Sequence, residues 1–109
     1  MLESVAVVPT DAAGRYAKQL LSHLGRKVPV EPVPGEPEPA GQLVFGYGVG
    51  VVRPTPAGLE LRATAGDPEA LARLQDVLAR HLERFGARRE LVVSWGPTSG
   101  DAEPVGPAQ

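Results

Sequence analysis

Asp67-Pro68-Glu69-Ala70-Leu71-Ala72-Arg73-Leu74-Gln75-Asp76-Val77-Leu78-Ala79-Arg80-His81-Leu82-Glu83-Arg84-Phe85-Gly86 decides how this chain folds. Leu71, Leu74, Val77, Leu78, His81, Leu82 and Phe85 recur at three- and four-residue spacing, so they share one stripe of a helix. Asp67 can cap the first free amides, Pro68 suits a first-turn position where no N–H is needed, and Gly86 supplies the stop. Glu69/Arg73 and Asp76/Arg80 form favourable i,i+4 pairs on the solvated side. A one-sided helix needs a surface to cover, and Leu59-Glu60-Leu61-Arg62-Ala63 offers one: its apolar and charged residues alternate, as in a half-buried antiparallel strand.

Towards the start, Ser4-Val5-Ala6-Val7-Val8 reads as a first strand stopped by Pro9. Thr10 or Asp11 offers an N-cap to a first helix over Ala13 to Leu24, with Ala13, Tyr16, Ala17, Leu20, Leu21 and Leu24 as its stripe and Gly25 at its end. Val28-Pro29-Val30 can only be a short or edge strand, because Pro29 has no amide to donate. Residues 31–41 hold four of the twelve prolines and read as an extended, polyproline-like loop. Strands at Leu43 to Gly46 and Val49 to Arg53 precede Leu59 to Ala63, and Leu91 to Trp95 reads as a final strand.

The order is strand, helix, four strands, helix, strand. Laying both helices on one face of a mainly antiparallel sheet buries both stripes. A two-layer α+β sandwich is expected, as a single domain over residues 1–95, with 96–109 a disordered tail. A chain of 109 residues supports one core and not two.

The chain has no cysteine, which excludes disulfide frameworks, thiolate metal sites and thiol nucleophiles and suits a reducing cytoplasm. The opening residues carry no export signal, and Leu43 to Val52, a long uncharged stretch, is too short and glycine-broken to span a membrane. A cytoplasmic location is expected. Five of the 13 acidic residues lie in the two proline-bearing segments, so 11 basic residues face 8 acidic ones in the remaining chain. That excess is too small, and the aromatics too few, for a nucleic-acid partner.

Gly46-Tyr47-Gly48-Val49-Gly50 leads into a strand, whereas a phosphate cradle opens onto a helix N-terminus, so the glycines are expected to serve a hairpin or bulge. Ser22 and His23 are helix neighbours pointing about 100° apart, with no oxyanion-hole motif near them. Arg80, Arg84, Arg88 and Arg89 gather at the end of the second helix, where cations complement its dipole. The histidines carry more. His81 falls in the second helix's apolar stripe and His23 at the edge of the first, so both can face the space between helices and sheet. A third ligand at metal spacing is missing, so no metal and no cofactor is expected.

Arg15-Tyr16-Ala17-Lys18-Gln19-Leu20, then Ser22-His23-Leu24-Gly25-Arg26-Lys27-Val28-Pro29-Val30, then Ala70-Leu71-Ala72-Arg73-Leu74-Gln75-Asp76-Val77 and His81-Leu82-Glu83-Arg84-Phe85 resemble the bacterial family known as domain of unknown function 2218, over residues 3 to 95. The resemblance implies a small bacterial domain and transfers no catalytic residue. It also implies an accessory role in iron uptake, since relatives occur beside or joined to siderophore-interacting flavin reductases. Many relatives carry a further histidine before the first helix, where this chain has Asp11 or Ala12, and an aromatic where Leu24 stands.

The reading is a small cytoplasmic binding or accessory domain whose partner is a protein or a small anionic ligand. The alternative, less favoured, is an enzyme or enzyme subunit using His23 and His81 for acid–base chemistry. Candidate ligand or polar-site residues are His23, His81, Arg15, Glu83 and Arg84. Both rings in one cleft with a carboxylate or arginine would favour the enzyme. An exposed apolar patch on the sheet's second face would favour a partner-binding surface.

Overall fold

In β1 (Leu2–Val8), Leu2, Ser4, Ala6 and Val8 are buried and the residues between them are not, the period-two pattern of a strand with one covered face. The same alternation organises β3 (Gly41–Phe45), β4 (Gly48–Thr55) and the second half of β5 (Gly58–Ala65), whose first four residues are all buried. These strands, with two-residue edges β2 (Val30–Glu31) and β6 (Ser99–Gly100), form one antiparallel sheet in the order β2-β3-β4-β5-β1-β6. Helices α1 (Ala13–Leu24) and α2 (Pro68–Phe85) both pack on its inner face, giving the two-layer α+β sandwich. The structure, a computed structural model, describes residues 1–87 and 91–100. No helix among them is long and apolar enough to cross a membrane.

The core lies between the layers. Leu20 from α1, Leu74, Leu78 and Leu82 from α2, and Leu43, Val52, Leu59 and Leu61 from the sheet are all fully buried. Asp67 accepts from the Ala70 amide at 2.8 Å, Pro68 opens α2, and the Gly86 amide closes it on Leu82 O at 2.9 Å. Gly48 and Gly50 face this helix rather than forming a bulge. A Cβ on Gly48 would stand 2.6 Å from the Thr64 carbonyl oxygen, and one on Gly50 3.1 Å from Leu78, so bare backbone lets α2 seat its leucines on the sheet.

Several boundaries differ from the sequence reading. Neither Thr10 nor Asp11 is the N-cap of α1: Ala12 holds that place without a side-chain cap, and Thr10 Oγ1 accepts from the Ala12 amide at 3.0 Å. Strand β2 begins at Val30, because Pro29 can only accept, which it does from the Val44 amide at 3.0 Å. Loop 31–41 is not extended; two turns close it, with Glu36 N on Val33 O at 3.0 Å and Ala40 N on Pro37 O at 3.1 Å. Strand β4 runs on through Pro54, which lies beyond the last β3 pairing at Val52, so its missing amide interrupts no ladder.

Leu91 to Trp95 is not a strand. Leu91, Val93 and Trp95 turn towards the core while Val92 is 65% exposed, so the backbone alternates as a strand does without a strand beside it. The Val93 amide goes to the Glu83 carboxylate at 2.9 Å, and the sheet is reached only at Gly96, whose amide donates to Val5 O at 2.9 Å. Ser99 and Gly100 then pair with Glu3 and Leu2. Residues 96–100, read as the start of a disordered tail, are thus attached to β1, and 101–109 lie outside the described residues. Arg88 and Arg89 lie outside them too.

Among the described residues, charges divide the valines of the outer sheet face. Glu60 accepts from Arg53 at 2.7 Å and from Arg62 at 3.2 Å, Arg62 reaches Glu3 at 3.3 Å, and Arg53 reaches Glu36 at 3.5 Å. This line of paired charges crosses β4, β5 and β1 between Val51 and Val5. Burial alone would raise the Glu60 carboxyl, but the two guanidiniums prevail and hold it below its ordinary 4.5.

Candidate functional site

α1 carries His23 near its C-terminus and α2 carries His81 in its penultimate turn; the sheet both helices rest on brings the two rings to 5.1 Å between centroids, inclined at 45°. Phe85, one turn beyond His81, meets His23 edge-on at 5.3 Å and 82°. It is half-buried, packed against the core as its stripe position suggests, and adds this contact at the core's margin.

His81 Nδ1 lies 2.8 Å from Val77 O. A carbonyl oxygen only accepts, so Nδ1 carries the hydrogen, and in the neutral ring Nε2 is the free lone pair. The His23 imidazole sits below its ordinary 6.5, first because neighbouring atoms displace its water and then because His81, Arg26, Lys27 and Arg84 add positive charge around it. A negative charge placed here would reverse that second effect.

Both rings line one cleft of about 290 Å³, with Leu24, Lys27, Val28, Phe45, Tyr47, Arg73 and Val77. Phe45 and Tyr47 come from the β3–β4 hairpin, whose two-residue turn Gly46-Tyr47 lifts the Tyr47 ring to 5.5 Å from Phe45. Arg73 does not serve Glu69 as its spacing suggests; its guanidinium carbon stands 4.3 Å from the Tyr47 ring centroid, a cation–π contact. Among the described residues the lining therefore holds four rings, a lysine and an arginine, and no carboxylate.

Of the sequence candidates, His23 and His81 meet, and Arg84 stands beside His81 at the rim, exposed. Glu83 is committed to the Val93 amide. Arg15 is exposed eight residues before His23, roughly 12 Å along the helix axis, and lines no part of the cleft. Lys27, Phe45, Tyr47 and Arg73 escaped the sequence reading. An aromatic at the tip of a two-residue hairpin, where Asn, Asp or Gly is usual, was the available signal for Tyr47. Among the described residues no three His, Asp or Glu gather as a metal site, and the two imidazoles are accompanied by cations instead of a third donor. A cleft of about 390 Å³ beside the proline-rich loop is lined by Glu31, Glu36 and Glu38 with Lys18, and one of about 540 Å³ sets Tyr47 and Arg73 beside Asp67 and Glu69; among the described residues neither holds a sequence candidate.

No curated protein matches the chain. The NMR structure of PA4090 from Pseudomonas aeruginosa is similar to it, at 30% identity and a TM-score of 0.65, over 88% of this chain and 95% of that one. The model of a family described as uncharacterised proteins conserved in bacteria matches residues 5–96, with both helices, β3 to β5 and the latter part of β1, and the chain belongs to that family, domain of unknown function 2218.

Proposed function

We propose that this chain is a small binding or accessory module of the bacterial cytoplasm, and that the cleft between His23, His81 and the β3–β4 hairpin holds a small anion. One observation carries the reading: among the described residues the lining supplies two imidazoles, Lys27 and Arg73 and no carboxylate, so positive charge prevails in the cleft. Apolar walls with a few convergent polar groups suit a ligand pocket. The accessory role beside iron-uptake proteins belongs to the same proposal and rests on the family resemblance alone.

The test is an NMR titration of the full chain with inorganic phosphate and with acetate, following the imidazole signals. Saturable, one-to-one movement of both His23 and His81 is expected, tighter as pH falls through the histidine range, because protonated rings attract the anion. Movement spread evenly over exposed lysines and arginines, or none, would sink the reading. A second reading, proton transfer by the histidine pair, is favoured by Arg73 lying in the same cleft as both rings. It calls for an orienting carboxylate, however, and Glu83, the nearest in sequence, is bonded elsewhere.

A further inference from the structure

We propose that the ligand of this cleft is a flat aromatic monocarboxylate, a single ring in size. The inference rests on the anion-binding reading and narrows it to a chemical class. Size comes first: about 290 Å³ lies just under the range of about 300–1,000 Å³ typical of small-molecule sites, which admits one substituted ring and excludes a nucleotide.

Shape comes next. His23, His81, Phe45 and Tyr47 all present rings to the cleft, and Phe85 backs His23 with its edge. Ring-to-ring contacts favour offset and edge-on arrangements, so a flat guest gains contact here that a puckered guest of equal bulk does not. His23 and Phe85 already meet edge-on at 5.3 Å and 82°, while the histidines at 5.1 Å and 45° and Phe45 with Tyr47 at 5.5 Å and 37° are tilted.

Charge selects the headgroup. Arg73 is held 4.3 Å over Tyr47. A guanidinium stacked in this way keeps its in-plane N–H groups for a partner, and their fork matches the two oxygens of a carboxylate. His81 spends Nδ1–H on Val77 and keeps only Nε2 for the guest, which donates once the ring is protonated. Seen from each packed element, the charged and titratable groups near the pair are His23 on α1, Arg26 and Lys27 just beyond it, Arg73, Arg80, His81 and Arg84 on α2, and Tyr47 on the hairpin; Asp76 pairs with Arg80, and Asp67 and Glu69 share a neighbouring cleft with Arg73 and Tyr47. None of the described residues lining the cleft itself is acidic, so a guest with one negative charge offsets the repulsion of charging the pair and enters with a proton.

The test titrates the full chain with benzoate, cyclohexanecarboxylate, acetate and inorganic phosphate, again through the His23 and His81 signals. Benzoate is expected to bind roughly fivefold to tenfold more tightly than cyclohexanecarboxylate, which has the same charge and bulk without the flat ring. Arg73→Lys, which keeps the charge and loses the fork, is expected to weaken benzoate by about tenfold and to move acetate less, while the spectrum reports that the fold is intact. Equal affinity for the two six-membered acids, or phosphate the tightest, overturns the aromatic class while leaving an anion site in place. Silence with all four probes overturns the site and the class together.

Discussion

Glu60 shows how one residue holds the outer face of the sheet. It is 7% exposed, and its two carboxylate oxygens take one guanidinium each, from Arg53 on β4 and Arg62 on its own strand. Because Arg53 and Arg62 remain a third or more exposed, solvent screens part of this attraction. Glu60→Gln is expected to cost about 1–2 kcal/mol at neutral pH in urea melts, less than breaking a fully buried pair. The carboxyl is held below its ordinary 4.5, so the folded state binds its proton less readily than the unfolded state. Its stabilising contribution is complete above that ordinary value and is lost as pH falls through the lowered one. The variant should therefore show a flatter acid limb; an unchanged limb would mean the guanidiniums do not bias the carboxyl. At this scale periodicity went far with the histidines, since stripe positions point both at the interlayer space. It was silent on Tyr47 and Arg73, whose meeting depends on a hairpin of one layer reaching a helix of the other.

Among the elements, α2 was written out in the sequence almost to the residue. Its cap, first-turn proline, stripe and terminal glycine are local signals that need no knowledge of the rest of the fold. The segment Leu91 to Trp95 was not. Alternation betrays an extended backbone, but whether that backbone joins a ladder depends on a free strand edge beside it, and β1 offers its edge only from Val5 downward, to Gly96 and β6. The glycines of Gly46 to Gly50 were open to two readings for a similar reason: a turn at Gly46 is local, whereas the seat that Gly48 and Gly50 give α2 is set by the opposite layer. Leu74 marks the depth of that seat, being wholly buried and facing Gly48. Leu74→Ala is expected to lower stability by about 2–5 kcal/mol in denaturant unfolding, through lost burial and the cavity left behind. A cost under half of the lower figure would show that α2 settles onto the bare glycine backbone and fills the space.

For the whole molecule, the charge and hydropathy pattern sufficed for layers and element order, while the closing of the sheet at its far edge required the structure. The Ser4 hydroxyl is buried on the inner face and donates to Gly96 O at 2.8 Å; Ser99 and Gly100 add ladder pairing to Glu3 and Leu2. A chain ended at Trp95 leaves that hydroxyl without its acceptor, a loss of about 1–3 kcal/mol. In a domain of this size such a loss lowers Tm by at least about 4 °C, measured by calorimetry against a chain ended at Gly100. Equal melting of the two chains would show that residues 96–100 add nothing to the fold.

The position of β1 between β5 and β6 bears on how the protein is made. Strands β2 to β5 follow one another as neighbours, but β1 pairs with β5 in the register Val8 to Leu59 through Leu2 to Ala65. On the ribosome the first strand therefore emerges without a mate, and its mate appears only when residue 65 has been added. At about 5–20 residues per second, that is a wait of roughly 3–11 s, long beside the microseconds in which a hairpin such as β4–β5 forms. Throughout it, Val5-Ala6-Val7-Val8, a short uncharged run of strand-forming residues, has no partner within its own chain. The pace of translation between residues 9 and 65, as well as the depth of the folded well, thus governs how much of the nascent chain escapes association with its neighbours.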